Sequence, residues 1–394
     1  MKSRELWLST KDLNTKYFHT STIIHRRHNS IEFLKTEEGT WISSREEVGS
    51  YITDYYSKMY QSFQPVVPHD LEGLVTLVVT TLENEALCAI PSANQIHSTL
   101  LSLGSFKAPG PDGMTAIFYK KFWHIVGRDV VLMVQHFFVS GFMSREINHC
   151  RVVLLPKEAA PSQISQYRPV SLCNVVSKLI SKILANRTRM IIDKLISPLQ
   201  AAFVPGKTIH ENSILAHEIF HVLKKRNSGR KIMAIRADIE KAYDRMEWKL
   251  ILVAMKCFGF APHFVGWIEQ CLSSASCSIL LNGTPLGLIK PTRGLRQGDP
   301  MAPFLFIIGS EVFSRIWMRA EADHSIHGIC IARSAPPITH LLFVDDLLLF
   351  TRATSSEAHV VMQCLTKYAG WSGQQLNVCK STVTFSRNTR SAAK

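Results

Sequence analysis

No uninterrupted apolar run in this chain approaches the roughly 18 residues that a membrane-spanning helix needs, which argues against a membrane span. The opening residues Met1-Lys-Ser-Arg-Glu lack the apolar core of a secretory signal. Nine cysteines occur without a Cys-x-x-Cys pair or a regular framework. That excludes a disulfide scaffold and predicts reduced thiols in an intracellular protein, nuclear or cytoplasmic. The basic runs Arg26-Arg27 and Lys224-Lys225-Arg226 are too short to weigh as a nuclear address. No internal repeat is present, so a solenoid is excluded. Acidic residues are scarce: 31 Asp and Glu stand against 45 Lys and Arg, a net charge of +14. The excess is spread along the chain. It suits a polyanionic partner, nucleic acid first, against the plainer reading of a solvated basic surface.

With 46% hydrophobic residues over 394 positions, the chain can bury a large core. Lys107-Ala-Pro-Gly-Pro-Asp-Gly113 reads as a rigid loop by its prolines and glycines. Residues 1–100 read as a helical N-terminal extension, with a turn at Glu38-Gly39-Thr40 and a helix opened by Pro91-Ser92. Residues 101–394 read as the main domain. There, helices are expected at Ile117–Phe138, Val175–Leu195, Ile209–Lys225, Trp248–Phe258, Pro300–Ala320 and Ser356–Ser372. Strands are expected at Arg151–Leu155, Lys231–Ile239 and Thr382–Phe385, with a turn at Tyr167-Arg168-Pro169. Asn282-Gly283 between two apolar runs predicts a hairpin. The irregular alternation makes the class α+β.

The most informative stretch is Leu341-Leu-Phe-Val-Asp345-Asp346-Leu-Leu-Leu-Phe350. Adjacent carboxylates between apolar runs suggest a hairpin with acids at its turn. Asp-Asp could be turn chemistry alone. Yet an unpaired carboxylate in apolar surroundings costs several kcal/mol or more, and a divalent metal is the simplest offset. A third acid, Asp238, ends the strand before Glu240-Lys-Ala-Tyr243-Asp244. As a helix cap it would be structural, but Asp244 fits that role better, because Asp244-Arg-Met-Glu247 has the form of a capping box before Trp248. Asp238, Asp345 and Asp346 then form a candidate metal site able to hold two Mg²⁺ ions for in-line phosphoryl transfer. Between them lies Arg293-Gly-Leu-Arg296-Gln297-Gly298-Asp299-Pro300. Asp299 and Pro300 suit a helix start, and Gly298 permits close approach to a ligand.

These segments, in this order, resemble the reverse transcriptase of non-LTR (LINE-type) retrotransposons, particularly those of plants. The resemblance runs through Asn14–His19, Lys107–Gly113, Tyr167–Leu172 and Gln200–Gly206. It continues through Asp238–Asp244, Arg293–Pro303, Phe343–Asp346 and Gly373–Lys380. It implies a right-hand polymerase with fingers and palm, working on an RNA template, a DNA primer and deoxynucleoside triphosphates. Carried over by position, Asp238, Asp345 and Asp346 are the metal ligands and Tyr243 is the aromatic gate beneath the sugar. Arg296, Gln297 and Gly298 fall at the nucleotide and template, Arg168 at the triphosphate, and Lys380 where a lysine is proposed to protonate pyrophosphate. The sequence departs from the family at Val344, usually Ala; at Met301-Ala302, often Leu-Ser; and at Ala201-Ala202, often Ser-Gly. None removes a metal ligand. No endonuclease precedes Met1, and only 14 residues follow Lys380, so a fragment without a thumb is expected. Rival readings are a catalytically inactive RNA-binding remnant, a group II intron-type enzyme, or a metal-dependent nuclease. His217-Glu-Ile-Phe-His221 matches a zinc-protease motif, but no third ligand is evident.

Overall fold

The computed structural model describes residues 16–225, 229–332 and 335–389. Asn14, Thr15, Arg226 and the opening residues 1–5 of the readings above lie outside them. In chain order the helices are α1 (Lys16–His28), α2 (Arg45–Met59), α3 (Thr81–Cys88), α4 (Ala93–Ser102), α5 (Ala116–Lys121), α6 (Trp123–Ser140), α7 (Val175–Arg189), α8 (Ile192–Leu195), α9 (Ile209–Lys225), α10 (Ala242–Arg245), α11 (Trp248–Phe258), α12 (Pro262–Ser273), α13 (Ala302–Ala322) and α14 (Ser355–Ser372). The strands are β1 (Leu34–Lys35), β2 (Trp41–Ile42), β3 (His149–Pro156), β4 (Tyr167–Cys173), β5 (Ile232–Ala237), β6 (Ser276–Leu281), β7 (Thr284–Ile289), β8 (His340–Phe343), β9 (Asp346–Arg352) and β10 (Thr382–Phe385). No helix among the described residues is long and apolar enough to cross a membrane.

Two four-stranded sheets frame the molecule, ordered β4-β3-β6-β7 and β10-β5-β9-β8. The first is mixed, since β3 and β6 run parallel. The second is antiparallel throughout. Local chemistry sets many of the joints. Asn282 and Gly283 take φ of 49° and 90° between β6 and β7, the left-handed pair that a two-residue hairpin turn requires. Gly259, at φ 93°, ends α11. The Ser92 hydroxyl accepts the Gln95 N–H to cap α4. Gly309 in α13 lets Met246 and Ile251 press close, with Met246 Sδ 3.0 Å from where a Cβ would stand.

Several expectations are corrected. Tyr167-Arg168-Pro169 is not a turn but the start of β4, paired with β3 from Pro156↔Tyr167 onward. Proline is tolerated there because β4 is an edge strand with an outward N–H side. The expected helix over 117–138 is split at Phe122, and the one over 175–195 breaks at Met190 and Ile191. Pro262 opens α12 rather than only ending α11. The helix after Asp299-Pro300 begins at Ala302, not at Pro300. Glu38-Gly39-Thr40 lies within the hairpin joining β1 and β2.

The expected boundary at residue 100 is not a break in packing. Leu34, Val48, Ile52, Tyr56 and Met59 share one core with Cys150, Val152, Ile279 and Leu281 of the mixed sheet. Leu71, Leu87, Ile96 and Leu100 join the largest core, with α7, α11, α12 and α13. A third cluster packs Ile219 and Leu223 of α9 against Ile232, Ala234 and Phe350 of the antiparallel sheet. Each such fully buried aliphatic or aromatic side chain is worth about 1.5–3 kcal/mol relative to exposure.

Candidate active site

The β8–β9 hairpin carries the paired acids on a two-residue turn: Phe343 pairs with Asp346, leaving Val344 and Asp345 at the tip. Val344 has φ 57°. A β-branched residue there is strained, at a cost of order 1–3 kcal/mol. Asp238 follows the last β5–β9 pair, Ala237↔Leu347, so it stands beside this turn. Its N–H donates to Ser381 Oγ at 3.1 Å, and its carbonyl accepts the Asn377 N–H at 2.8 Å. These bonds tie it to the segment bearing Lys380.

Asp238 and Asp345 line one cleft of about 880 Å³. Partial burial, then the charges of Asp346 and Asp238, raise the Asp345 carboxyl above its ordinary range. Asp346 does not line this cleft. As the first residue of β9 it turns to Arg236 Nη2 at 3.5 Å, both side chains about 60% exposed (60% and 62%). Asp345 belongs to the turn and Asp346 to the strand, so the two adjacent acids sit in different local structure. The expected three-carboxylate cluster is therefore incomplete: among the described residues no group of three His, Cys, Asp or Glu stands ready to hold a metal ion. Two acids that disfavour each other's charge still suit a divalent cation, which would relieve that repulsion. The exposed Arg236 pair is worth at most about 1 kcal/mol, too little to hold Asp346 away from a dication.

The floor is the turn from Glu240 to Asp244. Tyr243 stacks flat on Phe306 of α13, centroids 4.5 Å apart and planes 5° apart. Asp244 is no cap. The helix after it, α11, has Glu247 as its N-cap, without a side-chain bond, and Asp244 is buried at 4% exposure. Gln297 Nε2 reaches its two oxygens at 3.4 and 3.5 Å, and the Tyr60 hydroxyl donates at 3.5 Å. Burial pushes its carboxyl up to about 6.

The loop 293–299 is locked from behind. Arg293 Nε donates to the Met59 carbonyl at 2.8 Å, and Nη1 is 3.5 Å from Glu247. Arg296, expected at the nucleotide, borders the cleft. Its guanidinium, however, is engaged by the Asn148 side-chain oxygen at 2.5 Å and by Asp299 Oδ2 at 2.8 Å. Asp299 also accepts the Met301 N–H at 2.9 Å and bonds Ser181, so it braces the loop ahead of the helix. Gly298 takes φ 110°, and a Cβ there would lie 3.1 Å from the Ser171 carbonyl. The adjoining Gln297 carbonyl accepts the Ser171 N–H at 2.9 Å. Glycine here serves the loop's seat against β4.

Cations share the cleft with the acids. Arg168, exposed on β4, and Lys380 both line the cleft. So does Lys157, which the sequence reading missed. Desolvation and then nearby Arg168 lower its ammonium pKa. Its signal was a lysine directly after the apolar strand ending at Pro156. Lys241, also lining the cleft, bonds the Tyr55 hydroxyl and sits over that ring at 4.5 Å. His217 and His221 lie on the exposed face of α9, away from any cluster of metal-ligating residues among those described.

The chain is 25% identical over 384 residues to the transposon TX1 uncharacterized 149 kDa protein of Xenopus laevis, covering 97% of this chain and 29% of that protein. It is 25% identical over 286 residues to the retrovirus-related Pol polyprotein of a type-2 retrotransposable element of Drosophila melanogaster, 72% of this chain and 25% of that one. An uncharacterized mitochondrial protein of Arabidopsis thaliana is 49% identical over 67 residues, 17% of this chain and 55% of its own length. The chain thus spans between a quarter and a third of the two long relatives. The family described as reverse transcriptase (RNA-dependent DNA polymerase), whose members generally use divalent metal ions, matches residues 155–391. With more than half its length so matched, and Asp238, Tyr243, Asp345, Asp346 and Lys380 inside the matched span, the chain belongs to the reverse transcriptase family.

Proposed function

We propose that this chain is the polymerase region of a non-LTR retrotransposon protein, adding deoxynucleotides to a DNA primer on an RNA template. The observation that carries the reading is the cleft itself. Asp238 and Asp345, the cations Lys157, Arg168 and Lys380, and Tyr243 line it together. In this reading the fold is a right hand, with β10-β5-β9-β8 as palm and β4-β3-β6-β7 as fingers. The identity to the Arabidopsis protein supports a plant element.

The primer 3′-hydroxyl gives up its proton to solvent as its oxygen attacks the α-phosphorus, the bond from that phosphorus to the bridging oxygen breaks, and pyrophosphate leaves. Arg168 and Lys157 hold the triphosphate, and Lys380 gives a proton to the departing pyrophosphate. Tyr243, braced by Phe306, fills the space a 2′-hydroxyl would need. Gln297, anchored on Asp244, meets the incoming nucleotide. Asp238 and Asp345, joined by Asp346 once it leaves Arg236, would hold two Mg²⁺ ions. Such ions, when bound, stabilise charge on the attacking and leaving oxygens. The net charge of +14 supports binding of template and primer through phosphates, with log affinity falling linearly in log salt.

The lack of a ready group of three metal-ligating side chains among the described residues favours a second reading, an RNA-binding remnant without catalysis. Primer extension on a poly(A) template with an oligo(dT) primer, dTTP and Mg²⁺ separates the two. Template-dependent product supports the polymerase; salt-dependent RNA binding without product supports the remnant.

A further inference from the structure

The tip of the β8–β9 hairpin is strained yet must aim Asp345. Val344 holds φ 57°, at the first central position of a two-residue turn, where glycine is the residue at ease. Left alone, such a turn would relax by rotating the peptide before Asp345, swinging its carboxylate. The hairpin is not left alone. β8 is the outer strand of its sheet, and residues 199–201 run along its open edge. Leu342 N–H donates to the Leu199 carbonyl at 3.0 Å, and Ala201 N–H donates to the Leu342 carbonyl at 3.2 Å. Asn212 Nδ2 closes the join, donating to the carbonyls of Leu342 at 2.9 Å and Leu199 at 3.1 Å.

Gln200 sits between those two backbone bonds, only 1% exposed. Its Oε1 accepts the Ala202 N–H at 3.0 Å and the Val344 N–H at 3.4 Å. Its Nε2 is buried with no partner. A buried amide with a stranded donor is costly, and an apolar side chain would fill the slot without that cost. What an apolar side chain lacks is the acceptor for Val344.

We propose that Gln200 is a positioning residue for Asp345: its buried amide oxygen holds the Val344 N–H and so fixes the strained turn that presents the Asp345 carboxylate to the cleft. The proposal rests on the polymerase reading for its consequence, but the clamp itself is a property of the free protein. Neither Gln200 nor Val344 touches substrate; both act through the direction of one carboxylate.

Amide hydrogen exchange on the full chain, without nucleic acid or nucleotide, reads the clamp directly. In the native protein the peptide spanning residues 341–348 should exchange slowly through Val344. In Gln200→Met it should exchange about tenfold faster, with α13 peptides unchanged, since tenfold corresponds to loss of one ordinary hydrogen bond. In single-nucleotide addition, Gln200→Met should lower kcat up to about a hundredfold, the scale of an ångström's misplacement. KM for the nucleotide should stay within about twofold, because positioning acts on the reacting geometry rather than on ground-state binding. Val344→Gly, which removes the strain, should restore most of that loss in the double variant, a non-additive cycle. A native Val344 amide exchanging at the rate of a free turn would overturn the proposal even if Gln200→Met failed to fold. Additive effects, or a loss of activity that only tracks Tm, would overturn it as well. A chain that clamps the turn but makes no product would contradict the polymerase reading and leave the clamp standing.

Discussion

Asp244→Asn should make this protein more stable at neutral pH. Asp244 is buried at 4% exposure, without an ion pair among the described contacts closer than the long bonds from Gln297 and Tyr60 at 3.4–3.5 Å. Burial lifts its pKa from 3.8 to about 6. A carboxyl raised in the folded state binds a proton more tightly there than in the unfolded chain. Stability therefore falls as pH rises from about 4 through 6, and the cost is complete above about pH 7. Two pH units correspond to about 3 kcal/mol at 1.36 kcal/mol per unit, to order of magnitude. An amide keeps one oxygen for Gln297 but brings an NH₂ needing an acceptor, which returns about 1–2 kcal/mol of that gain. The net expectation at pH 7.5 is roughly 1–2 kcal/mol of added stability. The assay is urea unfolding of both proteins from pH 4.5 to 7.5. The difference should be small or reversed near pH 4.5 and grow in favour of Asn up to pH 7. A pH-independent difference, or an Asn variant less stable at pH 7.5, would refute the reasoning.

His340, fully buried on β8, titrates in the opposite sense. Burial lowers it from 6.5 to about 4, so the native state loses stability as pH falls from 6.5 to 4, by about 3 kcal/mol in all. His340→Leu should flatten that acid loss in the same unfolding series; an unchanged slope would exclude His340 as its source. Gly294→Ala should cost about 2 kcal/mol or more, since φ is 85° and its Cβ would lie 2.6 Å from the Asp244 carbonyl oxygen; a Tm within a degree of the parent would contradict that close fit. Tyr243→Ala should admit ribonucleotides, because the ring braced on Phe306 is what a 2′-hydroxyl meets; an active variant with parental sugar selectivity would sink the gate.

What the sequence made legible was local or ordered along the chain. Asn282-Gly283 forces its hairpin whatever surrounds it, and the apolar flanks of Asp345 and Asp346 predicted theirs. Long-range partnership was not legible. Nothing near Asp244 announces that Tyr60, 184 residues earlier, and Gln297 will bond it, so its spacing from Glu247 was read as a cap. Arg168 was placed in a turn because proline follows it. The edge position that tolerates proline is a property of the assembled sheet. Arg296 carries the charge of a phosphate binder, but the fold commits its guanidinium to Asn148 and Asp299. Lys157 reaches the cleft only because β3 and β4 fold back on each other. The pairing of Asp346 with Arg236 depends on where the turn ends and β9 begins, which the adjacent letters alone do not reveal.

The central claim is that Asp238 and Asp345 form the working end of a template-directed polymerase cleft. Its most direct test is single-nucleotide incorporation on poly(A)·oligo(dT) by the native chain, Asp238→Asn and Asp345→Asn, with each variant's fold checked by circular dichroism. The account predicts dTMP addition that depends on the template, with each substitution cutting the rate at least about a hundredfold, the scale of removing one charge-stabilising group. Addition that survives either substitution at near-native rate, or that ignores the template, would contradict it.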